Sequence, residues 1–228
     1  MGDVGRIVVA TGTQREAAVL RDSGWTVIAG GGDANDLRNR LREASADAEL
    51  VLSFGMAGAL DHRLQIGDWV VGDAVVGGAD AACDPRWRDW LAAVLRATMG
   101  SVFADGRMIV SAGEKARLVK AWDAVAVDME SHVVAAVARE RGLPLAIARC
   151  VSDRADQPLP PAFAVAMRPD GSLAVGAMLR SILAQPAQVG AVVRTGVGFA
   201  RAMKSLERGA RAVVQAAGEP APGTVTIL

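Results

Sequence analysis

The sequence has no tyrosine, only two histidines and two cysteines, and no net charge. Each shortage closes a class of function. Cys83 and Cys150 cannot build a disulfide framework, and with only His62 and His132 beside them no thiolate or imidazole metal site is expected. Both cysteines read as buried, reduced and inert. Lys plus Arg (25) equals Asp plus Glu (25), so no overall field draws the chain to nucleic acid or acidic partners. No stretch of ~18 uninterrupted apolar residues occurs, which excludes a simple transmembrane helix. The start, Met1 to Arg6, lacks the basic-then-apolar pattern of a signal peptide, so a cytoplasmic location is expected. Aromatic residues make up only 4%, leaving few rings to stack on a flat ligand.

What is present is a small-residue, apolar chain of 228 residues, 51% hydrophobic, enough for one α/β domain with a sizeable core. Arg6–Thr11, Trp25–Ile28, Leu50–Phe54, Asp68–Val76, Met108–Val110, Val125–Val127 and Leu143–Ala148 read as short buried strands. Between them, Thr13–Asp22, Asn35–Ala44, Pro85–Ala97 and Met129–Arg141 read as helices, and a long helix is expected over Val189–Ala216. The alternation predicts a single-domain three-layer α/β/α fold over residues 1–217 with a central mixed, largely parallel sheet, then a flexible tail at 218–228.

Ligands of such sheets bind where strands end in loops. Four strand ends carry polar or glycine-rich residues: Glu16 after the first, Gly55 to Gly58 after the third, Asp128-Met129-Glu130 after a later one, and Ser152-Asp153 after the last. Each also has an ordinary structural reading. Glu16 and Glu130 suit the first turn of a helix, Asp128 and Asp153 suit caps or turns, and the glycines suit a tight turn. Alone, none identifies an enzyme.

Their order and wording carry more. Ser53-Phe54-Gly55-Met56-Ala57-Gly58-Ala59-Leu60 with Leu64-Gln65-Ile66-Gly67-Asp68-Trp69-Val70-Val71, then Val127-Asp128-Met129-Glu130, then Arg149-Cys150-Val151-Ser152-Asp153-Arg154-Ala155-Asp156 resemble three motifs of the family-1 purine and uridine phosphorylases and related nucleosidases, in that family's order. Gly30-Gly31-Gly32-Asp33, Glu130-Ser131-His132, the run from Asp153 to Pro161 and Met167-Arg168-Pro169-Asp170-Gly171 are similar to the hopanoid-associated branch. The resemblance implies cleavage of the bond between a purine and ribose, and for that branch release of adenine from adenosylhopane. Methylthioadenosine or adenosylhomocysteine cleavage is the competing substrate assignment, and a non-catalytic nucleoside binder the competing class. No cofactor is implied; phosphate is a candidate co-substrate.

By the same resemblance, Asp153 is the general acid at the purine and Ser152 its neighbour in the base site. Glu130 and Met129 hold the ribose, Glu16 orients a nucleophilic water, and Gly12, Gly55, Met56 and Ala57 form the nucleophile or anion loop. To donate, Asp153 must carry or share a proton, an expectation that calls for burial. Two departures concern phosphate. Family phosphorylases bind it through an Arg at the position of Ser53 and a Ser or Thr at that of Met56, and a methionine side chain cannot donate a hydrogen bond. Arg15, Arg38 or backbone amides near Gly12 and Gly31 are the substitutes available, so phosphate and water both stay open.

The last helix is basic. From Arg180 to Ala217 six basic residues face one acidic residue, Glu207. Arg194, Arg201 and Arg208 recur every seven residues, and Val189, Val192, Val193, Phe199, Met203, Leu206 and Val213 form an apolar stripe. One reading is a peripheral contact of residues 189–216 with the inner membrane face, delivering a lipid-tailed substrate; the other is a stripe packed on the protein's own sheet. The resemblance also implies a homo-oligomer.

Overall fold

The computed structural model describes residues 6–30, 33–160, 180–181 and 183–218. The chain order is β1 (Ile7–Thr11), α1 (Gln14–Ala18), β2 (Thr26–Ala29), α2 (Ala34–Ala44), β3 (Leu50–Ala59), β4 (Trp69–Gly77), β5 (Ala81–Ala82), α3 (Pro85–Leu95), β6 (Thr98–Ala104), α4 (Ala112–Trp122), β7 (Ala124–Asp128), α5 (Ser131–Arg141) and β8 (Leu145–Asp153). A single 3₁₀ turn at Pro186–Gln188 then leads into α6 (Val189–Gly218). Apart from Gly218, the expected tail lies outside the described residues, as do Gly31 and the Met167–Gly171 stretch.

Strand β1 shows why the sheet is covered on both sides. All five of its residues are buried, as expected of a parallel-sheet strand whose sequence is continuously apolar. Val8 and Ala10 face a core shared with Leu37 and Leu41 of α2 and Val133, Val134 and Val137 of α5. Ile7 and Val9 face a second core shared with Leu91 and Leu95 of α3 and Leu206, Ala210 and Val213 of α6. Alternate residues of one strand thus serve two helical layers.

The sheet is mixed, with five parallel ladders (β1–β2, β1–β3, β3–β8, β4–β6, β6–β7) and three antiparallel ones (β3–β7, β4–β5, β4–β8). Following the ladders from β3 through β8, β4, β6 and β7 returns to β3, so five strands close on themselves while β1 and β2 extend outward. Strand β3 makes closure possible by its length. Its first part pairs with β1, most of it pairs with β8, and Gly58 and Ala59 at its end pair with β7.

Several sequence-based expectations are corrected here. Gly55 to Ala59 is strand rather than loop, because Gly55 to Gly58 continue to pair with β8 from Arg149 to Asp153, with a register shift between Ala57 and Gly58, and Gly58 and Ala59 pair with β7. Met108–Val110 is not a strand. The strand preceding α4 is Thr98–Ala104, whose Gly100 lets the backbone pass so near Val125 that a Cβ would lie 2.7 Å from its Cγ1. The helix after Thr13 ends at Ala18, and α5 starts at Ser131, leaving Met129 and Glu130 ahead of it. Helix α4 was not foreseen.

The long helix packs at home along its second half, where Leu206, Ala210 and Val213 are fully buried, while Val189, Val193 and Val197 at its start are exposed. Gly209 of α6 rests on the ring of Trp69 of β4, and a Cβ there would fall 2.1 Å from Cζ2. Gly209→Ala should therefore destabilise the fold by about 1–3 kcal/mol or more through overpacking, despite alanine's better helix propensity. A urea midpoint equal to or above the wild type would refute this contact.

Candidate active site

Four strand ends meet around one buried guanidinium. Beyond β1, Thr13 caps α1 and Glu16 answers it in a capping box, the carboxylate accepting from the Thr13 amide at 2.7 Å. The other oxygen of Glu16 accepts the Met56 amide of β3 at 2.9 Å. A residue that would ordinarily face water is thus folded inward and is 3% exposed. Desolvation raises its pKa, opposed in part by the charge of Arg149 and by these amides.

Arg149 lies in the middle of β8 with no solvent exposure. Its Nε is 2.8 Å from Asp128 Oδ2, and one terminal nitrogen is 3.6 Å from Glu130 Oε2. That nitrogen also donates to Ser53 Oγ at 2.5 Å and to Ser131 Oγ at 3.3 Å. Asp128 Oδ1 in turn accepts the amides of Glu130 and Ser131 at 3.0 and 2.8 Å, fixing the turn between β7 and α5. Three carboxylates, Glu16, Asp128 and Glu130, therefore share one arginine. Burial raises the Glu130 carboxyl to about 8, with Arg149 opposing and Asp128 and Glu16 adding to the rise.

At the end of β8, Asp153 faces the same cavity from the other side. Lys115 of α4, 1% exposed, donates to its Oδ2, and Ser152 Oγ donates to its Oδ1 at 2.7 Å. Asp153 is buried, as a carboxyl that carries or shares a proton would need to be, and the buried Lys115 side chain is in direct contact with it. Neither Lys115 nor Arg149 was singled out in the sequence. For Arg149 a signal existed, a charge inside the apolar run Leu145–Val151. Lys115 sits on an ordinary amphipathic helix and gave none.

Gly12, Glu16, Met56, Ala57, Met129, Glu130, Ser152 and Asp153 all line one cavity. Gly55 lies behind it, where a Cβ would meet Arg149 Nη1 at 2.9 Å and Glu16 Oε1 at 3.2 Å. Among the described residues the rest of the wall is largely apolar, with Met108, Ile109, Val127, Leu159 and Phe199, the one aromatic ring, while Arg107 and Thr13 add polar groups. No group of three or more His, Cys, Asp or Glu among the described residues is arranged to hold a metal. One end of the cavity is thus acidic around Arg149, and the other pairs an apolar wall with the Asp153–Lys115 couple.

The raised carboxyl of Glu130 predicts a pH dependence of stability. Between the ordinary carboxylate value of 4.5 and about 8, the folded protein keeps a proton that the unfolded chain has released. Stability must then fall as pH rises through that window. Glu130→Gln removes the group, so the variant should gain on the wild type from pH 5 to pH 8 in thermal unfolding. A difference that stays flat over that range would contradict the assignment.

No curated protein matches the sequence. Among solved structures, the 5′-methylthioadenosine/S-adenosylhomocysteine nucleosidase of Helicobacter pylori superimposes with a TM-score of 0.64 at 17% identity, covering 92% of this chain and 96% of that one. The S-adenosylhomocysteine nucleosidase of Streptococcus pyogenes gives 0.65 at 17% identity over 94% and 96%. Futalosine hydrolase of Helicobacter pylori gives 0.59 at 18% identity over 66% and 88%. At these identities the likeness is one of fold. The profile of the phosphorylase superfamily matches residues 28–184, from β2 past the end of β8 and so through Arg149, Asp128, Glu130, Lys115 and Asp153. Spanning well over half of the chain, that match shows that this protein belongs to the phosphorylase superfamily and is an enzyme of that group.

Proposed function

We propose that this enzyme hydrolyses the N-glycosidic bond of a purine nucleoside, with water rather than phosphate as nucleophile. The observation that supports water is the position of the Glu16 carboxylate. It already occupies the amides of Thr13 and Met56, the donors an anion would need, and lies against Gly12 and Gly55. Arg149 is engaged by Asp128, Ser53 and Glu130, and Arg107 at the rim by Asp105 and Glu114, so among the described lining residues a phosphate here would meet carboxylates and no unpaired cation. A water has the opposite preference, since Glu16 can accept its proton as it attacks the anomeric carbon.

In this reading Glu130 accepts from the ribose hydroxyls through its carboxyl oxygens, and the Glu16 carboxylate beside it favours the positive charge that builds on the sugar. Met129 packs on the sugar. Asp153, flanked by Ser152, hydrogen-bonds the departing purine, and its electron pair stays with the base as the bond breaks. The catalytic domain is proposed to be residues 1–217, with the tail beyond it.

The 5′ substituent is proposed to be a large apolar one, as on adenosylhopane. Val189, Val193 and Val197 are exposed on the same helix whose Phe199 lines the cavity, and this apolar surface supports the reading. A homo-oligomeric, cytoplasmic enzyme touching the inner membrane face through that helix belongs to the same proposal, supported by the resemblance. The nucleosidases with which it shares its fold make methylthioadenosine the second substrate to compare.

Incubation with adenosylhopane and with methylthioadenosine, with and without phosphate, should release adenine at a rate independent of phosphate and yield the free sugar, read by mass spectrometry. A ribosyl 1-phosphate product would overturn hydrolysis. Glu16→Gln should lower turnover by on the order of 10²–10⁴-fold with the fold retained, the usual contribution of a general base. A folded variant with near wild-type turnover would exclude Glu16 from that role.

A further inference from the structure

The Asp153–Lys115 couple is unusual for its place. Lys115 rises from α4 into the interior, and its three protons have three acceptors: Asp153 Oδ2, the Arg154 carbonyl at 2.7 Å and the Gln157 carbonyl at 3.4 Å. A lysine that only tied down the segment after β8 would need those carbonyls alone. Its closest contact is instead to the carboxylate that lines the cavity. The neighbouring cation, Arg154, turns outward to Asp156 at 2.8 Å, and Arg107 at the rim pairs with Asp105 at 2.7 Å and Glu114 at 3.3 Å. Among the described residues, Lys115 is therefore the cation in contact with Asp153.

We propose that Lys115 is a positioning residue that supplies the proton of base departure, through Asp153. The inference rests on the hydrolytic reading above. As the C–N bond lengthens, its electron pair moves onto the purine and raises the basicity of the ring nitrogens. An N–H bond of the Lys115 ammonium breaks, an O–H bond forms at Asp153 Oδ2, and Asp153 passes a proton to the base. Lys115 is left as a neutral amine. The attacking water loses a proton to Glu16; once the cavity opens, Glu16 releases that proton to solvent and Lys115 takes one up from solvent by way of Asp153. The sum is nucleoside plus water giving free sugar plus neutral purine, with the enzyme restored.

The device also answers a difficulty in the site. A proton shared by a buried ammonium and a carboxylate does not require an isolated neutral carboxylic acid at neutral pH, which otherwise needs strong desolvation. Asp153 touches the substrate; Lys115 lies behind it and acts only through it.

The test compares two leaving groups in the full-length enzyme. A purine ribonucleoside needs a proton to leave well, whereas 4-nitrophenyl β-D-ribofuranoside departs as a stable phenolate. Lys115→Arg keeps a cation behind Asp153 but cannot give up its proton, because a guanidinium is not deprotonated in proteins. The folded variant should lose on the order of 10²–10⁴-fold in kcat on the purine nucleoside and less than about tenfold on the nitrophenyl riboside. Lys115→Met, a smaller side chain for the same cavity, should show the same selective loss and serves if arginine is not accommodated. Equal losses on both substrates in a folded variant, or purine turnover within about threefold of wild type, would overturn the proposal. A wild type that releases base from neither substrate would instead refute the hydrolytic reading itself.

Discussion

A single guanidinium in the middle of a sheet sets the terms for this molecule. Arg149 has no contact with water, and removing a charge of that kind from solvent costs several kcal/mol unless partners surround it. Its partners come from far apart in the chain: Ser53 on β3, Asp128 at the end of β7, and Glu130 and Ser131 at the start of α5. The strands cannot shift register relative to one another without separating these groups. The ladder joining β3 to β8 is correspondingly long, running from Val51–Leu145 to Gly58–Asp153. The arginine is thus held by the fold and also aligns it, and the carboxylates it gathers are those that face the cavity.

The excess of carboxylates over arginine is what makes this arrangement chemical rather than only structural. A fully neutralised cluster would have no electrostatic preference for a cationic sugar. Here burial raises Glu16 and Glu130 and holds back their ionisation, a strain set by desolvation. A ligand carrying hydroxyl donors and incipient positive charge relieves that strain. The opposite wall is built differently, with thioethers and aliphatic groups and one carboxylate backed by an ammonium. The two ends suit the two halves of a molecule whose bond is to be broken between them.

How far this was legible from the sequence depends on the residue. The first strand, α2 with its Asp33 cap, and α5 announce themselves through apolar runs and cap residues, and they lie within one or two residues of expectation. The Gly55–Ala59 strand did not, because glycine-rich sequence reads as a turn until a long partner strand is known to hold it extended. The strand at Thr98–Ala104 was hidden for a similar reason: Gly100 breaks its pattern, and its need for glycine arises only from Val125 across the ladder. Among site residues, the resemblance assigned roles to Glu16, Glu130 and Asp153 but none to the cations that answer them, although Arg149 heads the last motif. Arg149 could have been noticed as a charge inside an apolar strand. Lys115 could not, because a lysine on an amphipathic helix ordinarily points to solvent, and only the packing of α4 turns this one inward.

The capping box at Thr13 has a further meaning when concentrations are considered. Glu16 is joined to the Thr13 amide by three residues of ordered backbone and held against the Met56 amide by the packed fold, so it competes for both as a tethered ligand. Even short flexible tethers present their ends at about millimolar effective concentration, and a side chain locked in place does so far more strongly. Dissolved phosphate would have to displace it from a site with a serine where the related phosphorylases carry an arginine and with no donor on the Met56 side chain. On the hydrolytic reading, converting this chain to a phosphate user would require at least three coordinated changes, releasing Glu16 and placing an arginine for Ser53 and a hydroxyl donor for Met56, with no single step giving the advantage of the set. On that reading the choice of nucleophile is kept by a barrier in sequence space as well as by the geometry of one carboxylate.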